Sequence, residues 1–301
     1  MRSIAVIGGA GGVGSSIVFN LLHAARPYEV LVIDSRPNMV TSHVMDLQDA
    51  AALGVGSRVR AGELHEASTA DVVVLAASVP LRLNVSRTEF LAENAAVVRD
   101  LIASLDGWHG HLVLMTNPTD ALGTWALRWS GLAPERLLGY CVNDSLRLRF
   151  GIAAALGIDA ARVDAWVLGE HGDAGVPVFS RVRVDGEPVA LSDEAQASAE
   201  RYLRTWYVTH VALDSGRAST WSSGWGTAAL IDALFADQCS VMPASVALRG
   251  EYGIYDVNLG MPVRLGQGGT HGIEQWELTR AEQHALEHAA DVVRANAELL
   301  T

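Results

Sequence analysis

Ile4-Ala5-Val6-Ile7 runs directly into Gly8-Gly9-Ala10-Gly11-Gly12-Val13-Gly14, after which Val13, Ile17, Val18, Leu21 and Leu22 fall on one helical face. A short, unalternating apolar run suits a strand buried on both sides of a parallel sheet, and the period that follows is that of an amphipathic helix. Gly9-x-Gly11-x-x-Gly14 sits at the junction, where glycines let the backbone approach a pyrophosphate at a helix N-terminus. Asp34 closes the next apolar run, Val30 to Ile33, some twenty residues further on, where a carboxylate can accept hydrogen bonds from ribose hydroxyls. Together Gly9, Gly11, Gly12, Val13, Gly14 and Asp34 predict a dinucleotide site. Asp34 would repel a 2′-phosphate, which favours NAD over NADP, although Ser35 and Arg36 offer one a partial home.

The same rhythm continues outward. Val72 to Ala76 and Leu112 to Met115 are further apolar runs, and Leu91, Ala95, Val98 and Ile102 share a helical face between them. Strand and helix thus alternate to about residue 140, the signature of a doubly wound parallel sheet. After Gly139 the pattern changes. A helix is expected around Asp144 to Leu156, strands at Val163–Leu168 and Val176–Val184, helix from about Ser192 to Ala236, strand and turn at Val257–Leu265, and a closing helix over Arg280–Leu300. The fold class read from this is α/β, a Rossmann-type domain over residues 1–142 followed by an α+β substrate domain over 143–301.

Composition narrows the function. Of 301 residues 50% are hydrophobic and 19% charged, enough apolar material for a buried core and too little charge for disorder. Lys+Arg number 22 against 34 Asp+Glu, a net charge of −12, and nucleic-acid binders show the opposite sign. No lysine occurs, so all the basic residues are arginine; Schiff-base, pyridoxal-phosphate and P-loop chemistry are excluded. An anionic substrate must then be held by arginine, histidine or helix N-termini. Cys141 and Cys239 form no CxxC pattern, arguing against a zinc or disulfide framework and for two packing residues in a reducing compartment. The first apolar run is too short for a signal peptide or membrane span and no later run reaches about 18 residues, so a cytoplasmic protein is expected.

Several segments carry candidate chemistry. Gly169-Glu170-His171-Gly172-Asp173 places a histidine between turn residues with no apolar periodicity to explain it; a side chain titrating near pH 6.5 (roughly) suits proton transfer, and a structural histidine is the alternative. Asp144 and Arg147 lie three apart in a helix, on one face, and an intrahelical ion pair is the ordinary reading. Pro80 to Arg87 carries Arg82 and Arg87 after a strand end, as a solvated loop or as one that closes on an anion. Asn117 ends another strand on the same sheet edge and could bond a ligand or cap the next helix. His109 and His111 read as a solvated turn, Gly266, Gly268 and Gly269 as a hairpin turn, and Met39, Met45, Trp125 and Trp129 as helix packing.

Taken together these segments resemble the lactate and malate dehydrogenase family of NAD-dependent 2-hydroxy acid dehydrogenases along nearly the whole chain. The match includes the glycine motif, Asp34, Met45-Asp46-Leu47, Asn117-Pro118, Asp144-x-x-Arg147, Gly169 to Asp173, Gly250 to Ile254 and Leu259 to Val263. The resemblance implies that His171 exchanges a proton with the substrate oxygen, Asp144 orients it, Arg87 polarises the carbonyl and Arg147 grips the substrate carboxylate. It implies cofactor contacts at Asn94 and Asn117, substrate contacts at Asn117 and Ser219, a homodimer or homotetramer, and neither nucleic-acid nor membrane partners. The residue after the loop proline chooses the substrate in that family, and here it is Leu81, which cannot pair with a second carboxylate. A one-residue shift would bring Arg82 there instead and make the chain a malate enzyme. Asn143 and the Ser219 to Trp225 stretch depart from the family pattern, with Ser219 and Ser223 expected to face substrate and nicotinamide. A specialised 2-oxo acid is the expected substrate; an NAD-dependent glycoside hydrolase and a non-catalytic NAD-binding protein are the readings from other classes.

Overall fold

The computed structural model describes residues 1–79 and 87–300, the side chains of Arg87 and Thr88 excepted. In the first half β1 (Arg2–Ile7), α1 (Gly12–Leu22), β2 (Tyr28–Ile33), α2 (Pro37–Ala51), β3 (Arg58–Ala61), β4 (Val72–Leu75), α3 (Arg87–Ala103), β5 (His111–Leu114), α4 (Thr119–Leu127) and β6 (Leu137–Gly139) alternate. Their strands lie in the order β3-β2-β1-β4-β5-β6, all parallel, a Rossmann sheet. Ile4 pairs with Val30 on one side and Val72 on the other, and Ile4, Val30, Val72 and Leu112 are fully buried. The apolar face of α1, namely Ile17, Val18, Leu21 and Leu22, is sealed against this sheet, each side chain contributing about 1.5–3 kcal/mol.

The strand order reverses between β1 and β4, and the loops leaving such a switch point form the crevice where α/β proteins bind ligands. Gly8 shapes that crevice: its φ is +83°, and a Cβ there would stand 2.6 Å from Ala77 N. Only glycine lets the two loops pass so closely.

The second half comprises α5 (Val142–Leu156), β7 (Val163–Asp164), β8 (Val167–Gly169), β9 (Gly175–Pro177), β10 (Arg183–Val184), β11 (Glu187–Pro188), α6 (Asp193–Ala212), α7 (Trp221–Leu234), β12 (Ser240–Arg249), β13 (Tyr255–Gly266), β14 (Gly269–Ile273) and α8 (Arg280–Glu298). Strands β12, β13, β8 and β9 extend the first sheet in antiparallel register beyond β6. Beside it α5 and α6 enclose a smaller core of Leu148, Ile152, Val163, Val182 and Ala199. No helix among the described residues is long and apolar enough to cross a membrane.

Several sequence expectations need correction. The strand expected over Val176–Val184 is two short strands around a 3₁₀ turn at Phe179–Arg181, because Pro177 cannot donate to a ladder. The helical stretch from Ser192 breaks into α6 and α7, where Asp214 and Gly216 take positive φ. Cys141 is buried, but Cys239 is exposed rather than packed. Met39 and Met45 are exposed residues of α2 and Trp129 is exposed in the turn after α4, whereas Trp125 is buried. His111 opens β5, half-buried against Gly269, rather than lying in a solvated turn. The glycine cluster does form the β13–β14 turn, with Gly268 and Gly269 at φ +100° and +110°.

Candidate active site

β8 ends at Gly169, whose φ of +86° turns the chain so that His171 faces the N-terminal turn of α5. His171 Nδ1 pairs with Asp144 Oδ2, and only 13% and 12% of the two side chains is exposed. The His171 backbone N–H donates to Asp120 Oδ2 at 2.6 Å, tying the turn to α4. Glu170 Oε2 accepts from Ala174 N at 2.9 Å, and a Cβ on Gly172 would meet Glu170 Cδ at 2.9 Å, so the flanking residues shape the turn. A carboxylate at Nδ1 keeps the hydrogen there in the neutral ring and directs Nε2 elsewhere.

Electrostatics favour a charged ring. Burial works against the imidazolium, but the charge and hydrogen bond of Asp144 and the charge of Asp120 outweigh burial and the opposing Arg147, and the His171 pKa stands above its ordinary value. Asp120 is wholly enclosed, and burial pushes its carboxyl up to about 6.

Arg147 reaches the same carboxylate from one turn along α5, Nη1 to Asp144 Oδ1 at 3.4 Å. The ordinary intrahelical ion pair is thus present, but Asp144 is shared: one oxygen holds His171 and the other faces Arg147. The Arg147 guanidinium also lies 3.9 Å from the centre of the Trp206 ring on α6. A histidine ring, the carboxylate bonded to its Nδ1 and a largely enclosed guanidinium therefore stand together.

The glycine loop fits a dinucleotide. A Cβ at Gly14 would lie 2.1 Å from Gly8 O, and at Gly9 2.8 Å from Val6 O, so these glycines let α1 start hard against β1. Gly11 and Gly12 look outward between Arg36 Nη2 and Thr220 Oγ1, at a helix N-terminus whose first N–H groups have no partner within the helix. Asp34 Oδ2 accepts from Ala10 N at 3.2 Å, and Arg36 clamps the same carboxylate at 2.9 and 3.1 Å. The Arg36 hydrogen bond holds the Asp34 pKa below its ordinary value. Asn94 is sealed from solvent; its amide accepts from Val79 N and donates to Asn117 O, both at 3.0 Å, joining the loops after β4 and β5. Asn117 itself is exposed at the sheet edge.

Leu81 and Arg82 lie outside the described residues; Arg87 begins α3, but its side chain is likewise outside them. Ser219 and Ser223 do not stand as independent pocket hydroxyls. Asn143 Nδ2 donates to both, at 3.2 and 2.9 Å, while Asn143 Oδ1 accepts from Tyr140 Oη at 2.8 Å, and Ser219 also meets Ser222 Oγ at 3.1 Å. Sequence reading missed Trp206, Tyr140 and Asp120. Asp120 alone had a signal, three residues after Asn117 in the same turn.

The first half, residues 2–139, matches the model of the lactate/malate dehydrogenase NAD binding domain, and residues 143–301 match the alpha/beta C-terminal domain of the same family. A malate dehydrogenase of Halobacterium salinarum is 31% identical across 98% of both chains. L-lactate dehydrogenase 1 of Staphylococcus aureus is 28% identical over 96% of this chain and 94% of that one. The solved structure of a minor L-lactate dehydrogenase from Enterococcus mundtii superposes with a TM-score of 0.91 at 26% identity, covering 100% of this chain and 98% of the other.

Proposed function

The chain belongs to the lactate/malate dehydrogenase family and is an NAD-dependent 2-hydroxy acid dehydrogenase, and from that premise we propose that it interconverts a specialised L-2-hydroxy acid with its 2-oxo acid. The pairing of His171 with Asp144 beside the largely enclosed Arg147 carries this reading. It sets aside a glycoside hydrolase or a non-catalytic NAD-binding protein.

Each side chain has a distinct task. In reduction His171 gives its proton to the developing alkoxide from Nε2, and in oxidation it takes one back. Asp144 fixes the ring and stabilises the imidazolium that gives its proton in reduction and is formed in oxidation. Arg147 binds the substrate carboxylate through its planar fork, which a lysine would do poorly, and Arg87 polarises the carbonyl. NADH, when bound, supplies the hydride. Gly9, Gly11, Gly12, Val13 and Gly14 would hold its pyrophosphate and Asp34 its adenosine ribose, with Asn94 ordering the loops and Asn117 at the sheet edge. A 2′-phosphate would meet the Asp34 carboxylate, which supports NAD over NADP, with Arg36 softening the difference.

The hydroxyl-rich Ser219–Asn143–Ser223 wall and the aliphatic Leu81 support a substrate other than lactate or malate. Malate is the second reading, favoured by Arg82 and by the 31% identity to a malate dehydrogenase. Exposed apolar residues on α1, α2 and α7, namely Phe19, Met45, Trp221 and Trp225, support self-association into a dimer or tetramer; the domain division is placed at 142/143.

NADH oxidation measured across pyruvate, oxaloacetate and 2-oxo acids with branched, aromatic, hydroxyl, sulfonate or phosphonate side chains tests the substrate. Oxaloacetate winning by about a hundredfold, roughly 2.7 kcal/mol, would place Arg82 in the discriminating position and refute the specialised reading. A His171→Ala variant that kept its turnover would refute the whole assignment.

A further inference from the structure

A carboxylate-binding arginine poses a design problem in the empty protein. Arg147 has only 15% of its side chain exposed, and among the described residues its one hydrogen bond is the long contact with Asp144 Oδ1 at 3.4 Å. A cation this enclosed has lost much of its hydration and gains from a favourable partner beside it. An acidic neighbour would be such a partner only by occupying the in-plane fork that the substrate needs.

An aromatic ring escapes this conflict. Its negative π face attracts the flat face of a guanidinium and takes none of the N–H hydrogens, which all lie in the guanidinium plane. The Trp206 ring lies 3.9 Å from Arg147 Cζ. The indole is in turn braced: the His210 ring stacks on it, with centroids 4.9 Å apart and planes 13° from parallel. His210 Nε2 donates to the Arg217 carbonyl at 3.0 Å, which fixes the imidazole to the segment leading into α7. The chain of contacts runs from that segment through α6 to a cation on α5.

We propose that Trp206 is a positioning residue for substrate binding, holding the Arg147 guanidinium by its face so that the N–H fork stays open to the carboxylate of a 2-oxo acid. This rests on the reading of Arg147 as the carboxylate-binding group. The indole needs no contact with substrate; it acts by keeping one rotamer of Arg147 populated, so its loss weakens binding more than it slows proton exchange.

The test compares Trp206→Leu and Trp206→Met, which remove the ring, with Trp206→Phe and Trp206→Tyr, which keep one, and with Arg147→Lys. KM and kcat are measured with pyruvate and oxaloacetate at saturating NADH. The affinity of the enzyme–NADH complex for oxamate, an inert carboxylate analogue, is read from NADH fluorescence, and the Kd of NADH alone is measured beside it. The ring-removing variants are expected to raise KM and oxamate Kd by about tenfold or more. Their kcat should stay within about threefold and their NADH Kd unchanged, while Phe or Tyr restores most of the loss. Two ring-removing variants guard against one failing to fold. Unchanged KM and oxamate Kd in both, with Arg147→Lys raising them, would overturn the role of Trp206 alone. A fall in kcat with parallel loss of NADH affinity would make Trp206 a packing residue and overturn it too. Normal binding in Arg147→Lys would overturn the underlying reading of Arg147.

Discussion

Replacing Asp144 by Asn keeps the shape of the partner at His171 Nδ1 and removes its charge. Both side chains are close to nine-tenths enclosed, so solvent does little to screen the pair. The change abolishes the attraction and charged hydrogen bond that lift the His171 pKa, leaving burial and Arg147 to lower it against Asp120 alone. An opposite charge at such range is worth about 1–3 pKa units. With that attraction gone the His171 pKa falls, and the imidazolium fraction near neutral pH falls with it. Reduction needs the imidazolium, so wild-type kcat/KM for 2-oxo acid reduction should hold through neutrality and fall only as pH rises past the raised pKa. In Asp144→Asn the same fall should begin at lower pH, with much of the activity regained on the acid side. Oxidation needs the neutral ring, and its rising limb should shift in the same direction. The assay is steady-state NADH oxidation from roughly pH 5 to 9, with NADH binding measured alongside. Superimposable pH limbs for variant and wild type would refute the coupling of Asp144 to His171.

Asp34→Ser, with Arg36 retained, should improve NADPH binding relative to NADH by about tenfold or more, because a freed guanidinium then faces the 2′-phosphate; an unchanged affinity ratio by fluorescence titration would count against Asp34 as the discriminator. Gly14→Ala should weaken NADH binding and cost about 1–3 kcal/mol of stability, since its Cβ would lie 2.1 Å from Gly8 O and 2.8 Å from Gly8 C, backbone atoms that cannot step aside; wild-type affinity and melting temperature would contradict the packing. The Asp120 pKa of about 6 lies above its ordinary 3.8, so its contribution to stability is full below about pH 4 and is lost as pH rises through about 6, roughly 3 kcal/mol in all. Asp120→Asn should flatten that decline in a denaturation series, and a slope equal to wild type would exclude a raised carboxyl there.

The legible elements were those whose signal is local. β1, β2, β4 and β5 are buried on both faces and read as unbroken apolar runs. β3 is an edge strand alternating arginine with small apolar residues, and β6 has three residues, so neither carries enough pattern to be seen. β12 contains Pro243 and β9 ends in Pro177, which weakens any strand reading. The Asp144, Arg147 and His171 set was found from short segments, but no local pattern joins them; only the family resemblance implied it, and in space His171 meets Asp144 because the turn after β8 faces the start of α5. Trp206 left no trace in the sequence, since its meaning depends on two helices lying side by side.

On the proposed reading of Ser219 as a substrate contact, its hydrogen bonds tie the choice of substrate to that same start of α5. Asn143, one residue before Asp144, spends both hydrogens of its amide on serine oxygens. Each serine therefore serves as an acceptor there and keeps its own O–H hydrogen to donate. Between Ser219 and Ser222 only one such hydrogen can be spent within the pair. Where Ser219 faces the substrate side chain and accepts from Ser222, its own O–H is the donor offered to that side chain. A buried donor left without an acceptor costs about 1–3 kcal/mol, so a methyl group is a poor match and an oxygen-bearing side chain a good one. An oxygen need not be a carboxylate: a wall of neutral hydroxyls supplies hydrogen bonds without the second cation that a dianionic substrate requires. On the proposed reading, the orientation of His171 by Asp144, carboxylate binding at Arg147 and side-chain recognition through Asn143 thus all depend on where a turn and a half of α5 is placed, and a serine wall there favours an uncharged, oxygen-bearing side chain on the 2-oxo acid.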